Sequence, residues 1–152
     1  MSGRQQLQQL AQEIEVLNEQ KQALQEEIQS LQTQKQDIDE AIDAIDRLGS
    51  GDTVQVPLGG GAYVRAEVQD IDEIIVDLGA DYAAERDQDG AIDSLQTKQD
   101  TLDGRIDDLR EEISDLESET DQLEQRAQQM QQQQMQQQMQ QQQMQQGQDD
   151  DE

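Results

Sequence analysis

From Leu7 onward, apolar residues recur at alternating intervals of three and four, and this spacing constrains the fold more than any other feature. One series is Leu7, Ile14, Lys21, Ile28, Lys35 and Ile42, and the other is Leu10, Leu17, Leu24, Leu31, Ile38 and Ile45. These are a and d positions of six heptads, ten of the twelve apolar, and they predict a long helix with a narrow seam. The pattern breaks at Leu48-Gly49-Ser50-Gly51 and resumes after Asp89-Gly90. There the a series is Ile92, Gln99, Ile106, Ile113, Thr120 and Ala127, and the d series is Leu95, Leu102, Leu109, Leu116, Leu123 and Met130. Gly104 falls at an outward f position, where it weakens the helix without opening the seam.

Both seams run for 39 residues, 7 to 45 and 92 to 130, roughly 58 Å at ~1.5 Å per residue. Equal lengths favour an antiparallel hairpin in which a positions layer against d positions. Ile45 then faces Ile92, Leu7 faces Met130, and every layer sums to 137. No two polar seam residues meet: Lys35 faces Leu102, Lys21 faces Leu116, Gln99 faces Ile38 and Thr120 faces Leu17. Each lysine can lay its stem on the partner and lift its ammonium into water. The competing arrangement, each helix pairing with its own copy in a parallel dimer, also satisfies the heptads.

Between the helices the period changes to two. Val54, Val56 and Leu58 alternate with polar neighbours, then Ala62, Val64, Ala66 and Val68 do so after Gly59-Gly60-Gly61. A second pair follows at Glu73–Leu78 and Tyr82–Glu85, turning at Gly79-Ala80. Two β-hairpins are predicted, the fourth strand being the weakest, and Pro57 marks an edge or a bulge. A segment of this size seldom buries its own apolar face; below ~40 residues independent folds need disulfides, metals or partner chains. The expected organisation is α+β: a helix at 5–48, a two-hairpin oligomerisation body at 53–86, a helix at 90–130, and a Gln/Met-rich acidic tail at 131–152 expected to be disordered.

Composition excludes several function classes. Thirty-six acidic residues against ten basic ones give a net charge of −26, which repels nucleic acid and anionic membrane surfaces. Such self-repulsion is tolerable in concentrated salt, where the Debye length shrinks to ~3 Å at about 1 M. With no His and no Cys, the commonest general base, nucleophile and zinc ligands are absent, and no enzyme, metal site or cofactor is expected. Gly59-Gly60-Gly61 is not followed by Lys-Ser/Thr and reads as a turn. The Asp37–Asp46 cluster and Asp87-Gln88-Asp89-Gly90 lack a complete calcium-loop pattern and read as solvated acidic faces. The start of the chain leads into no apolar run, so a cytoplasmic protein is expected.

The order of a coiled-coil helix, two β-hairpins and a second coiled-coil helix resembles the alpha-type subunit of archaeal prefoldin. Val56-Pro57-Leu58-Gly59 followed by Tyr63-Val64, and Ile75-Val76-Asp77-Leu78-Gly79-Ala80, carry the resemblance, which covers about residues 5 to 130. Two hairpins, where the beta type has one, favour the alpha type. Low Lys, preferred Arg and abundant Asp are similar to the composition of proteins from salt-accumulating archaea. The resemblance implies a hexamer of two alpha and four beta subunits, built on an intersubunit β-barrel body with projecting coiled coils. It also implies ATP-independent capture of non-native client proteins at the coiled-coil tips and their transfer to a group II chaperonin. Carried onto this chain, assembly falls on Val54, Val56, Leu58, Val64, Val68, Ile74, Val76 and Leu78, and client contact on Leu7, Leu10, Ala127 and Met130. The tail methionines Met135, Met139 and Met144 lie outside that resemblance. Methionine's adaptable side chain suits varied apolar partners, so they join the client-contact set as candidates. A structural coiled-coil scaffold without chaperone activity is the alternative.

Overall fold

The computed structural model describes residues 2–149. Helix α1 spans Gly3–Arg47 and helix α2 spans Gln88–Asp149; between them lie β1 (Thr53–Gly59), β2 (Ala62–Glu67), β3 (Ile74–Gly79) and β4 (Tyr82–Arg86). The chain divides into two compact units through which both helices run: residues 2–27 with 108–149, and Ile28–Asp107.

In the first unit the heptad seam is closed. Leu10 and Thr120 are buried and the remaining seam positions are half-buried or better, with exposed residues between them. Lys21 reaches Glu117 at 3.0 Å, next to Leu116, as the layer sum of 137 requires. Thr120 satisfies its hydroxyl on the Leu116 carbonyl at 2.7 Å, so its place in the seam leaves no unpaired donor. Gly3 lies against the Gln134 side chain, whose amide end would shift to admit a Cβ, and the two make the layer one heptad position beyond Leu7 and Met130. Ser2 caps α1, its hydroxyl accepting from the Gln5 amide at 3.3 Å.

In the second unit the same register holds. Lys35 pairs with Asp103, beside Leu102. Gln99 donates to the Lys35 carbonyl and to Asp39, around the expected partner Ile38. The helix ends are tied together by Gln88, whose amide donates to the carbonyls of Ile45 at 2.7 Å and Leu48 at 3.2 Å. These are carbonyls that the last turn of α1 leaves without helical partners. Asp87 caps α2 by accepting from the Gly90 amide at 2.7 Å. The short acidic motif at 87–90 thus starts a helix.

The two lysines make a test of what the seam is worth. A half-buried isoleucine at an a position recovers part of the ~1.5–3 kcal/mol of a fully buried one. The lost surface ion pair is worth ~0–1 kcal/mol and less in concentrated salt. Lys21→Ile and Lys35→Ile are each expected to stabilise the fold by about 1 kcal/mol. Thermal melts followed by helical circular dichroism in molar KCl check this, and a lowered melting temperature would contradict it.

The hairpins are two separate two-stranded antiparallel sheets, β1-β2 and β3-β4. They repeat one design at an interval of twenty residues. Val56 pairs with Val64 and Val76 with Ala84, and each register shifts once, between Pro57 and Gly59 and between Asp77 and Gly79. Leu58 and Leu78 sit at these bulges. Gly59 and Gly79 follow at φ 99° and 94°, left-handed values that glycine adopts without cost. The first hairpin turns on Gly60-Gly61, whereas the second turns on Ala80-Asp81 at φ 52° and 61°. The same turn therefore carries backbone strain in one copy and none in the other. The fourth strand, expected to be weak, is five residues long and pairs along its length.

One expectation is corrected. The Gln/Met-rich segment placed at 131–152 as a disordered tail continues α2 to Asp149. Gln and Met are good helix formers, no Pro interrupts the segment, and extending an existing helix requires no new nucleus. Residues 150–152, the acidic end of that segment, lie outside the described residues.

Candidate functional site

Two sets of exposed apolar side chains are the surfaces with something left to bind. The first lies on the hairpins. Of the expected assembly residues, Val76 is buried, and Val54, Val68 and Ile74 are half-buried within their own unit. Val56, Val64, Leu78 at 46% and Leu58 at 67% remain exposed. Tyr63, Tyr82 and Ile75 are exposed as well, the last at 75%, although the pattern of alternation did not select them. The two tyrosines lie just after the turns on β2 and β4, opposite Pro57 and Gly79, at positions that are not equivalent under the twenty-residue repeat.

The second set lies in the first unit, mostly on α2. Leu10 is buried and Leu7, Ala127 and Met130 are half-buried, because they close the seam. Leu10 and Met130 line one shallow groove with Gln6, Gln9, Glu13 and Arg126. Met135 at 69%, Met139 at 68% and Met144 are largely exposed to solvent. Residues 127–148 carry no charged side chain, in a chain of which 30% is charged. Val16, exposed on the outer face of α1 beside Leu17 and Leu123, is the apolar surface residue that heptad reading passed over. A valine outside the a and d positions, next to the d-position Leu17, was its signal.

Among the described residues no helix is long and apolar enough to cross a membrane, and no group of three or more His, Cys, Asp or Glu could hold a metal ion. What the arrangement can do is associate: strands with unpaired edges and exposed aliphatic side chains in one unit, and an uncharged methionine-bearing helix in the other.

A long helical pair enclosing two hairpins defines a class, and the comparisons agree with it. A filamentous PFD from Methanocaldococcus jannaschii, solved by cryo-EM, matches with a TM-score of 0.64 over 72% of this chain and 93% of that one, at 24% identity. The fold is thus that of prefoldin. The family model "Prefoldin subunit" matches residues 17–133, and the chain belongs to the prefoldin family. Proteins described as "Prefoldin subunit alpha" are similar to it: 59% identical over 98 residues in Haloarcula marismortui and 66% over 99 in Haloquadratum walsbyi. The match covers 64% of each of those relatives and 64% and 65% of this chain. Another in Halorubrum lacusprofundi is 60% identical, the match covering 68% of each chain. The resemblance to the alpha type thus holds, with relatives from salt-loving archaea.

Proposed function

We propose that this chain is the alpha-type subunit of a chaperone that holds non-native proteins without ATP and passes them to a group II chaperonin in the cytoplasm. Its assembly partners are beta-type subunits, two alpha with four beta. They join through the exposed hairpin residues Val56, Leu58, Val64 and Leu78, with Val54, Val68, Ile74 and Val76 supporting them from within. Client contact falls on the first unit, at Leu7, Leu10, Ala127 and Met130 and along the methionines of α2.

The observation that carries capture is the exposure of Met135, Met139 and Met144 on a charge-free helical stretch. Along most of the helical pair an apolar client segment must approach a densely acidic surface. Here it meets polarizable side chains that adapt to irregular partners, among glutamine amides that need no counter-ion. Because the neutral segment exerts little field, its grip on an apolar client depends less on salt than an ionic contact would.

The test is suppression of aggregation of a denatured client in molar KCl, with beta-type partner present and no nucleotide. The full chain is expected to protect, and truncation after Met130 to lower protection severalfold while assembly persists. Unchanged protection by the truncated chain would remove the methionine segment from capture. No protection by the full assembly would leave a scaffold without chaperone activity.

A further inference from the structure

We infer that two copies of this chain pair with each other through residues 128–146, as an antiparallel two-helix contact centred on Gln137. The sequence from Gln128 to Gln146 reads the same in both directions, with Met130, Met135, Met139 and Met144 placed symmetrically about Gln137. The structure makes this stretch helical. On the side away from the seam it presents Gln128, Gln132, Met135, Met139, Gln142 and Gln146, at intervals of four, three, four, three and four. All six are exposed. This is a second heptad-like stripe, left open to solvent by the described residues.

An antiparallel partner placed by a two-fold axis at Gln137 sets Met135 against Met139 of the other copy, twice, at the centre. Gln132 then faces Gln142, and Gln128 faces Gln146, outside them. Each layer joins one stripe position to its complement, the alternation an antiparallel coiled coil requires. An isologous contact needs one self-complementary patch, and a palindromic helix face supplies it.

Charge argues for a second copy as the occupant. Each chain carries −26, so copies repel along almost their whole length. Residues 127–148 are free of charge and can lie side by side without that penalty. The family match stops at residue 133, so most of the stripe belongs to this chain beyond the shared fold. The contact uses the Met135/Met139 side and leaves Met144, on the other side of the helix, available to a client.

Absence of cysteine makes a clean test. Full-length Met135→Cys and Met139→Cys chains, differently tagged, are mixed in molar KCl under a glutathione buffer. The antiparallel contact brings residues 135 and 139 of different copies into one layer. Like residues are offset by ~6 Å along the helices, which together with the ~8 Å spacing across the pair puts their Cα atoms about 10 Å apart, beyond the ~7 Å a disulfide tolerates. The mixed disulfide is expected to exceed either homodisulfide by about fivefold or more. Gln132→Glu with Gln142→Glu, which sets like charges around the methionine layers, should abolish that preference while helical circular dichroism is retained. Homodisulfides as abundant as the mixed product, no disulfide at all, or a preference indifferent to the glutamates would each overturn the inference. None of these outcomes depends on whether the chain protects clients.

Discussion

Leu109→Ala is expected to lower the unfolding free energy by about 3 kcal/mol, the largest effect of any single truncation in the seam. Leu109 is the one large side chain among the described residues with no exposure at all. Most other seam residues keep part of their surface in water, because two helices cannot enclose every a and d side chain on all sides. Their truncation loses only the buried fraction, and water fills the gap. At Leu109 the removed methyl groups leave a dry cavity, so the transfer cost and the cavity cost add. For a chain of this length the loss corresponds to a fall of roughly 6–12 °C in melting temperature. Leu102→Ala, at a half-buried d position, serves as the comparison and should cost clearly less. Equal losses at the two sites in molar KCl would mean that the seam is uniformly wet.

The seam was legible because its physics is periodic. All 24 expected a and d positions are buried or half-buried, and the ion pairs of Lys21 and Lys35 fall one residue from the predicted layers. The polar members fit because each has a local remedy: Lys35 reaches Asp103, Gln99 spans Lys35 and Asp39, and Thr120 bonds back to its own helix. The continuation of α2 past Met130 was not legible, since hydrophobic period was the signal read and glutamine has none. Propensity carries a helix where periodicity is silent. The Asp87 cap and the Ala80-Asp81 turn escaped for a related reason. A cap is one hydrogen bond, here to the Gly90 amide, and a non-glycine left-handed turn contradicts the residue preferences that mark turns. On the hairpins, alternation identified the apolar face yet could not tell Val76, covered by its own chain, from Leu58, left open.

That last distinction determines the second large effect. Under the proposed assembly, Leu58→Asp with Leu78→Asp should abolish association with beta-type subunits and leave the isolated chain folded. The two leucines occupy equivalent bulges, one in each hairpin. They are 67% and 46% exposed, so in the lone chain a carboxylate at either site stays largely hydrated. In an assembled body the same carboxylates would be stripped of water beside aliphatic partners, at a cost of several kcal/mol each. Two such penalties per alpha subunit, or ~6 kcal/mol in all, shift an association constant by roughly four orders of magnitude. Sedimentation of the mixed subunits in molar KCl should therefore lose the peak of the proposed hexamer, while the helical signal of the variant alone matches that of the unaltered chain. Val76→Asp provides the contrast, because Val76 is buried within its own unit and its replacement should unfold the hairpin before any partner is met. A hexamer that survives the double leucine replacement would move the subunit contact off this face of the hairpins. Tyr63, Tyr82 and Ile75, also exposed on the strands, would then be the residues to test.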